Sequence, residues 1–372
     1  MKNKALIVAN IDNFHKNFNL PSIKLLKDNG YDIDIASRGN DAFSDSKVKY
    51  NIKFGRTPLK FSNIFAYMQL RKIIVKNQYD LVYCNTPVVG AITRLAIPNS
   101  LIKKTRVVYS AHGFAFYNGI NKIKYILYSL IEKMLSKKTD CIITMNQEDY
   151  NAALSLKFKC NEITNVNGVG IALNKFKAAY PANKKYFRDK YFFNDNDLIL
   201  IYPAELTDRK NQILLLKIVE RLVIKNSNVK LLLAGDGHKM EALKGKAAAL
   251  NISKNVIFLG YRDDVAQLYQ ASDILVASSH TEGLPINIIE AMASGLPIIA
   301  TNVRGHCDLV KNGANGFLFE VNDIDKAVEY IELLHNNREI YKTLSKQSVE
   351  MAKKFNIDNV IQEYKPIFKL SE

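Results

Sequence analysis

Short apolar runs rich in β-branched residues alternate with amphipathic stretches of helical length, and this alternation limits the fold more than any other feature of the chain. The runs form two series of six, the first between residues 5 and 166 and the second between residues 197 and 320. Strands that alternate with helices build parallel sheets covered on both faces. The sequence therefore predicts an α/β protein, and 372 residues suffice for two doubly wound, Rossmann-like domains.

The segment between the two series, residues 167–197, has no strand of its own, so we place the domain boundary there. We expect a first domain over residues 1–170 and a second over residues 171–355. Open α/β sheets bind ligands beyond the carboxyl ends of their strands. Two such domains are therefore expected to face each other across a cleft, with the functional residues in the loops that follow strands.

Composition excludes several classes of protein. With 48% hydrophobic and 24% charged residues, and no apolar stretch near the roughly 18 residues that span a bilayer, neither disorder nor an integral membrane protein is expected. The first residues, MKNKALIVAN, lack the pattern of a secretory signal, so we expect a cytoplasmic protein. The four cysteines form no C-x-x-C pair and the six histidines form no ligand cluster. A disulfide framework and a structural metal are not expected.

The positive charge is concentrated in the first half of the chain. Of the formal net charge of +16, residues 1–170 contribute +13, from 25 basic and 12 acidic side chains. This asymmetry favours a polyanionic partner, either nucleic acid or an anionic membrane surface, although a bias of composition towards Lys and Asn would also produce it. Two stretches, residues 56–76 and 121–138, mix apolar with basic side chains; they are typical either of membrane contact or of helices that cover a sheet.

The most specific segment is residues 273–301, which read strand, loop, helix and strand in turn. Pro285 suits the first turn of the helix, where its missing N–H costs nothing, and Gly295 stands where the helix would end. Gly283, in the loop before the helix, lets a ligand approach the backbone closely. Because free N–H groups and the positive end of a helix dipole bind anions, the segment predicts a cradle for a diphosphate.

Two carboxylates flank this cradle, Glu282 before the helix and Glu290 inside it, with seven residues between them. The rise from Pro285 to Glu290 is roughly 7.5 Å, comparable to the reach from a phosphate to a ribose. A carboxylate beside a phosphate site makes electrostatic sense where it accepts hydrogen bonds from hydroxyls, as sugars offer. The alternative, two solvated glutamates, is weak for Glu290, since an unpaired carboxylate in its apolar stretch would be costly.

These residues resemble the E-x7-E motif of the retaining glycosyltransferases of family 4, which use nucleotide-sugar donors and have the GT-B fold. The resemblance extends to NGVGI (167–171), LLLAGDG (231–237), VIFLGYRDDVAQLYQASD (256–273) and NGFLF (315–319). It implies that Glu282 contacts hydroxyls of the donor sugar and Glu290 those of the ribose. The amides of Gly283 and Leu284, ahead of Pro285, would bind the diphosphate. As in relatives, a helix over about residues 356–372 is expected to pack back on the first domain.

The resemblance assigns further roles in the second domain. Lys210 falls on the family's phosphate-binding lysine, and Arg209 would replace the arginine that many members carry where this chain has Glu205. Gly235 and Asp236 would line the base and ribose end of the donor site. Tyr261 and Arg262 lie where the family reads the nucleobase, with Arg262 as a candidate stacking partner.

In the first domain, His112 falls on the family's histidine that contacts the donor sugar at the reaction centre. Asn10, Asp12 and Phe18 follow the first strand and are candidate lining residues on the acceptor side. The loop that contains them lacks the Gly-Gly pair common in the family. Three D-x-D triplets, a metal–diphosphate signature of another glycosyltransferase fold, stand away from the predicted cradle, so we expect transfer without a metal ion or other cofactor.

The sequence thus predicts a cytoplasmic retaining glycosyltransferase that transfers sugar from a UDP-sugar to an acceptor hydroxyl. Its basic first domain leaves two alternatives open, a protein free in the cytoplasm and one attached peripherally to the inner face of the plasma membrane. The acceptor would be a saccharide, in particular a lipid-linked one of capsule or exopolysaccharide synthesis, held by the basic first domain. Three alternatives remain: a nucleotide-sugar epimerase of the same fold, a lectin-like module without catalysis, and a basic nucleic-acid-binding protein. The last lacks any recognition helix or aromatic-studded binding sheet, so no nucleic-acid partner is expected.

Overall fold

The computed structural model describes residues 2–55, 57–178 and 181–370, and it divides into two compact units. The first comprises Met1–Gly170 and Ile357–Glu372, and the second Ile171–Asn356. Arg56, at the start of one predicted amphipathic stretch, lies outside the described residues. Within those residues, no helix is both long enough and apolar enough to cross a membrane.

The first unit is built on a parallel sheet of seven strands. The strands are β1 (Lys4–Ile11), β2 (Asp32–Arg38), β3 (Val48–Asn51), β4 (Leu81–Asn85), β5 (Arg106–Ser110), β6 (Cys141–Thr144) and β7 (Glu162–Asn165), in the spatial order β3-β2-β1-β4-β5-β6-β7. The helices are α1 (Asp12–Phe14), α2 (Leu20–Asp28), α3 (Ser62–Asn77), α4 (Pro87–Ala96), α5 (Asn99–Ile102), α6 (Lys122–Ser136) and α7 (Gln147–Ser155), with a π-helical turn at His15–Asn19.

The second unit repeats this plan with six parallel strands. The strands are β8 (Leu198–Pro203), β9 (Val229–Ala234), β10 (Val256–Gly260), β11 (Ile274–Ala277), β12 (Ile298–Thr301) and β13 (Gly316–Phe319), in the spatial order β10-β9-β8-β11-β12-β13. The helices are α8 (Pro181–Lys190), α9 (Gln212–Lys225), α10 (Met240–Ala249), α11 (Val265–Ala271), α12 (Ile286–Ala293), α13 (His306–Leu309), α14 (Ile324–Asn336) and α15 (Arg338–Ala352), with 3-10 turns at Leu173–Lys175 and Lys353–Phe355.

The last helix, α16 (Ile357–Phe368), packs within the first unit although it follows the second in sequence. The Arg106 Nε donates a hydrogen bond to the Ile367 carbonyl oxygen at 2.8 Å, and the Tyr364 hydroxyl donates to the Gly168 carbonyl oxygen at 3.0 Å. Tyr364 is almost fully buried. The end of the chain is therefore held to β5 and to the residues after β7 by buried polar contacts.

Burial on both faces explains the apolar runs of the central strands. Every residue of β4 and β6 is buried, as is every residue of β11 and β12. Both sheets therefore lie inside three-layer units, and the prediction of two doubly wound domains is confirmed. All twelve expected strands are present. The prediction missed β3, an edge strand whose residues VKYN are all partly or fully exposed and show no apolar run.

Candidate functional site

The loop between β11 and α12 has the geometry expected of an anion cradle, with one difference at its end. Pro285 has an extended ψ of 113° and precedes the helix, which begins at Ile286, so it is not in the first turn as predicted. At the other end, Gly295 has a φ of +76°, and its N–H donates to the Met292 carbonyl oxygen at 3.0 Å. Gly295 therefore ends the helix as expected.

The backbone amides of Gly283 and Leu284 donate no hydrogen bond to any atom of the described residues, and they precede the positive end of the α12 dipole. Reciprocal contacts hold this loop: the Glu282 N–H donates to the Arg304 carbonyl oxygen at 3.1 Å, and the Arg304 Nε donates to the Glu282 carbonyl oxygen at 2.9 Å. Gly305 packs beneath it, and a Cβ there would lie 2.8 Å from the Gly283 oxygen. The amides are thus held in place before any ligand binds.

Glu282 is the centre of a buried charge cluster. One carboxylate oxygen lies 2.7 Å from the Lys210 ammonium and accepts a hydrogen bond from the Ser279 hydroxyl at 2.6 Å. The other accepts from the Arg209 guanidinium at 2.6 Å. Burial alone would raise the pKa of the Glu282 carboxyl, but Lys210 and Arg209 lower it to about 2. Glu282 is therefore ionised throughout the physiological range, and with its two cations the cluster has a net charge of +1.

Arg209 and Lys210 are placed against the β11 loop by their backbone. The Arg209 carbonyl oxygen accepts from the His280 N–H at 2.9 Å, and the Lys210 carbonyl oxygen accepts from the Ser278 hydroxyl at 2.9 Å. The Lys210 side chain is only 12% exposed, whereas that of Arg209 is 48% exposed. Arg209 therefore offers an accessible cation in the region where Glu205, itself exposed, supplies none.

Several supporting residues of this cluster were missed by the sequence analysis. The Tyr202 hydroxyl lies 2.7 Å from the Ser279 hydroxyl, and it must be the donor because Ser279 donates to Glu282. The Thr301 hydroxyl donates to the Ser279 carbonyl oxygen at 2.7 Å. Burial lowers the pKa of His306 to about 4, so that this residue adds no charge at neutral pH. Tyr202 and Thr301 lie on β8 and β12, and His306 lies on α13, so no local pattern around Glu282 marks them.

Glu290 has a different environment although it stands on the same motif. It lies on α12, and its carboxylate accepts from the buried Tyr269 hydroxyl at 3.2 Å. That hydroxyl also lies 3.0 Å from the Asn287 carbonyl oxygen. In the part of the chain that the structure describes, no basic side chain pairs with Glu290. Burial raises the pKa of Glu290 to about 7, which is the behaviour of a carboxyl that lacks a counterion.

The residues after β9 lie against the end of β8. Gly235 has a φ of +150°, and a Cβ there would lie 2.2 Å from the Ala204 carbonyl oxygen, so no larger residue fits. The Asp236 carbonyl oxygen accepts from the Leu206 N–H at 2.9 Å, while its side chain is exposed. The Asp236 carboxylate therefore stands at the carboxyl edge of the sheet, free of the packing that fixes its backbone.

The side chains of the two residues after β10 differ in exposure and in their contacts. The Tyr261 side chain is 74% exposed. The Arg262 Nε donates to an Asp264 carboxylate oxygen at 2.7 Å, and its guanidinium lies 5.9 Å from the centre of the Tyr191 ring. Arg262 is thus already engaged, whereas Tyr261 offers an open aromatic face.

In the first unit, His112 has a φ of +51°, and its Nε2 lies 3.0 Å from the Asn85 Oδ1. The Asn85 Nδ2 donates to the Val8 carbonyl oxygen, which leaves Oδ1 as the acceptor and Nε2 as the protonated ring nitrogen. Burial lowers the pKa of His112 to about 3, so the ring is neutral. The rings of Phe14 and Phe18 lie 4.9 Å and 6.2 Å from it, centre to centre.

The candidate acceptor-side residues differ in availability. The Asp12 carboxylate accepts from the Ser37 hydroxyl at 2.5 Å and the Asp41 N–H at 2.9 Å, and it pairs with Lys49 at 2.9 Å. Asp12 thus connects the end of β1 to β2, β3 and the loop between them, and we leave it out of the proposed acceptor site. The Asn10 side chain accepts from the Ile11 N–H at 2.9 Å, and Phe18, beside His112, is partly exposed.

The D-x-D triplets have no common site. Asp32 and Asp34 lie on β2, where Asp34 accepts from the Tyr79 hydroxyl at 2.6 Å, and Asp323 caps α14 through the Lys326 N–H. Among the described residues, no group of three or more His, Cys, Asp or Glu side chains is arranged to hold a metal ion. The four cysteines are free thiols.

Comparisons with known proteins agree with this geometry. Residues 183–351 match the family model of "Glycosyl transferases group 1", and residues 4–146 match that of "Glycosyl transferase 4-like". The Bacillus subtilis protein named "Putative glycosyltransferase EpsD" is 35% identical over 99% of this chain and 97% of its own length. An Escherichia coli UDP-Gal:alpha-D-GlcNAc-diphosphoundecaprenol alpha-1,3-galactosyltransferase is 27% identical over 94% of this chain and 92% of its own length.

The fold is also that of solved enzymes. The Anabaena protein HepE, crystallised with UDP and glucose, superimposes with a TM-score of 0.79 over 98% of this chain and 99% of its own, at 20% identity. The bound molecules belong to that structure, and at this identity the likeness concerns the fold alone. Together, the matches to both units and the relative that spans nearly the whole chain show that this protein is an enzyme of the group 1, family 4-like glycosyltransferases and has their GT-B fold.

Proposed function

We propose that this glycosyltransferase moves a sugar from a UDP-sugar to a hydroxyl of a lipid-linked saccharide in capsule or exopolysaccharide synthesis, with retention of configuration and without a metal ion. The observation that carries the proposal is the preformed cradle of the second unit. There, two free amides and the N-terminus of α12 adjoin a cluster with one excess positive charge. Such a site favours a group with two adjacent negative phosphates.

The diphosphate would accept hydrogen bonds from the Gly283 and Leu284 amides, while Lys210 and Arg209 neutralise charge that develops on the leaving phosphate. These cations would take the role that a divalent ion has in other phosphate sites. Their pairing with Glu282 keeps both in position without ligand. Because the Glu282 pKa is about 2, its carboxylate remains an acceptor, suited to hydroxyls of the donor sugar that compete with its present donors.

Glu290 is the proposed acceptor for the ribose hydroxyls. A carboxyl with a pKa of about 7 gains most from new hydrogen-bond donors, because hydroxyls that donate to the ionised form replace the solvation lost by burial. Asp236 and the Gly235 backbone would line the ribose and base end, with the exposed Tyr261 ring beside the base. Arg262, which is held by Asp264, would form the wall of this pocket.

For the transfer step, we propose the front-face route of retaining enzymes. The bond from the sugar C1 to the donor phosphate oxygen breaks, the acceptor oxygen bonds to C1 on the same face, and the leaving phosphate takes the acceptor proton. His112 would contact the donor sugar as a neutral imidazole, since its pKa of about 3 excludes an imidazolium. Asn10 and Phe18 would line the acceptor side of the first unit.

The choice of substrates rests on the relatives. UDP is bound in the HepE crystal, and a diphosphoundecaprenol-linked sugar is the acceptor named for the E. coli relative. A Staphylococcus aureus relative is a capsular polysaccharide biosynthesis glycosyltransferase. A lipid-linked acceptor would bring the enzyme to the cytoplasmic face of a membrane, where the positive charge of the first unit would favour acidic lipids.

The test is transfer from radiolabelled UDP-sugars to lipid extracts, with Lys210→Ala, Glu282→Ala and Glu290→Ala compared against Lys217→Ala, an exposed lysine on α9. We expect each site variant to lose at least about a hundredfold in rate, the scale of one charge-assisted contact. EDTA should leave the rate unchanged. Near-normal transfer by folded Glu290→Ala protein, or a new sugar isomer formed from donor alone, would refute the proposal.

A further inference from the structure

Helix α6 turns its apolar side outwards, whereas a helix that covers a sheet usually turns its apolar side towards that sheet. Its exposed side carries six large apolar residues, spaced as one helical face and each more than a third exposed: Ile123, Ile126, Leu127, Leu130, Ile131 and Met134. The buried positions are Ser129, Glu132, Leu135 and Ser136, of which three are polar. The apolar side therefore faces away from the sheet that α6 covers.

A buried ion pair holds α6 in this orientation. The Glu132 carboxylate accepts from the Arg94 Nη2 of α4 at 2.8 Å and from the Tyr109 hydroxyl of β5 at 3.2 Å. Arg94 is completely buried, and its guanidinium stacks 3.8 Å from the centre of the Tyr109 ring. A rotation that buried the apolar side would leave Arg94 without its counterion, which is strongly unfavourable.

Helix α3 repeats this arrangement in part. It packs inwards through Ala66, Leu70 and Ile74, while a second stripe of large apolar residues at and before the helix is exposed: Leu59, Phe61, Ile64, Phe65, Met68 and Val75. Helices α3 and α6 both pack against α4, whose Leu95 is 48% exposed. We call these exposed residues of α3, α4 and α6 the apolar shelf. An apolar surface of this extent marks an interaction site.

The charges around the apolar shelf are of one sign. Helix α3 carries Arg71, Lys72 and Lys76 and no acidic residue. Helix α6 carries three lysines, Lys122, Lys124 and Lys133, and its one acid, Glu132, is buried and neutralised by Arg94. A second copy of this surface would bring positive charge against positive charge, so the pattern fits an anionic apolar partner.

A basic concavity adjoins the end of α6, below the amino ends of β4, β5 and β6. Its volume is about 520 Å³, and we call it the lysine bowl; its basic lining residues are Lys103, Lys104, Arg106, Lys137, Lys138, Lys159 and Lys369. The two acids in it are occupied by uncharged donors: Asp80 accepts from the Lys4 backbone N–H, and Asp140 accepts from the Val107 N–H and the Asn161 amide. Among the described residues, neither acid forms an ion pair with a lysine of the bowl, and the seven basic residues outnumber the two acids.

We propose that the apolar shelf and the lysine bowl together dock the first unit on a bilayer of acidic phospholipids. The shelf would enter the boundary between headgroups and acyl chains, and the bowl would receive lipid phosphates. Polybasic and apolar contributions add in interfacial binding, and one alone gives weak, reversible attachment. The inference deepens the proposed function, whose lipid-linked acceptor it would bring to the enzyme, but its test requires neither donor nor acceptor.

The experiment is flotation of the full-length protein with vesicles of phosphatidylglycerol and phosphatidylethanolamine in equal parts, or of phosphatidylcholine alone. One variant removes three charges from the bowl, Lys103→Gln, Lys137→Gln and Lys159→Gln; another polarises the shelf, Ile126→Gln and Leu130→Gln. The matched controls lie on exposed sites of the second unit: Lys217→Gln, Lys254→Gln and Lys346→Gln for the bowl, and Ile213→Gln with Ile224→Gln for the shelf.

We expect the wild type and both controls to float with acidic vesicles and not with phosphatidylcholine. The bowl variant should bind about a hundredfold more weakly, since each of the three lysines contributes roughly a fivefold factor near an acidic surface. The shelf variant should bind at least about tenfold more weakly. Equal recovery with both kinds of vesicle, or equal loss in controls and variants, would overturn the inference. So would sedimentation as a dimer that the shelf variant converts to monomer. Vesicle binding without sugar transfer would refute the proposed function alone.

Discussion

Replacing Glu290 by Gln should make the second unit more stable at pH 8 while it weakens the binding of UDP. In the folded protein, burial without a counterion raises the pKa of this carboxyl from 4.5 to about 7. Stability therefore falls as the pH rises from 4.5 through 7, because the folded state retains a proton that the unfolded state has released. A shift of this size corresponds to about 3 kcal/mol at pH 8 and to under about 1 kcal/mol at pH 5.

Glutamine keeps an acceptor for the Tyr269 hydroxyl and removes the charge. Thermal unfolding of Glu290→Gln at pH 8 should therefore give a melting temperature of the second unit roughly 6–12 °C above wild type, shrinking to a small difference at pH 5. Glu241→Gln, whose side chain is 84% exposed, is the matched control and should change neither value appreciably. A melting temperature of Glu290→Gln equal to wild type at pH 8, or raised equally at both pH values, would refute the reasoning.

The same carboxyl connects UDP binding to pH if it accepts hydrogen bonds from the ribose. Only the ionised form accepts two donors freely, and its fraction rises about tenfold between pH 6 and pH 8 for a pKa of about 7. In calorimetric titrations between pH 6 and pH 8, the affinity of the wild type for UDP should therefore rise about tenfold more than the affinity of Glu290→Gln. The change seen in Glu290→Gln itself reports the titration of the UDP phosphates. If the affinity for UDP depends on pH in the same way in both proteins, the ribose does not contact Glu290.

Two further substitutions test the contacts that position these groups. Gly305→Ala places a methyl group 2.8 Å from the Gly283 oxygen at a φ of +84°. The affinity for UDP, measured by calorimetry, should therefore fall at least about tenfold, while the far-UV circular dichroism stays unchanged. An unaltered affinity would show that the loop tolerates displacement. Glu132→Gln leaves the buried Arg94 without a counterion and should lower the free energy of unfolding of the first unit in urea by about 3 kcal/mol, whereas Asp28→Asn, at an exposed position, should not.

The features that follow from neighbouring residues were predictable from the sequence. The twelve strands marked by apolar runs, the helix stop at Gly295 and the position of Glu282 beside the loop of free amides all depend on residues close together in the chain. Strand β3 was not predictable, because an exposed edge strand needs no apolar run and owes its position to pairing with β2. Asp12 was a candidate lining residue on the acceptor side, and only the folded chain brings Ser37, Asp41 and Lys49 to it.

The orientation of α6 shows the same limit in a helix. Its sequence, KIKYILYSLIEKMLS, has an amphipathic pattern that fits a sheet-covering helix as well as a membrane-facing one. The outcome is decided by Glu132, which finds Arg94 thirty-eight residues earlier in the chain. A buried charge without its counterion costs more free energy than exposed apolar side chains do. The polar side of the helix therefore turns inwards, where Glu132 and Arg94 pair.

The two glutamates of the E-x7-E motif are chemically identical in the sequence, and the fold gives them opposite acid–base behaviour. Glu282, between Lys210 and Arg209, has a pKa of about 2; its contribution to stability is complete above pH 4.5 and is lost as the pH falls through 2. Glu290 has a pKa of about 7 and destabilises the fold above it. The charge of Glu282 is thus compensated by cations of the protein itself, whereas the charge of Glu290 remains uncompensated until a ligand supplies hydrogen-bond donors. A motif that places one satisfied and one unsatisfied carboxylate on either side of an anion cradle is suited to bind a molecule with phosphates in the middle and hydroxyls at both ends.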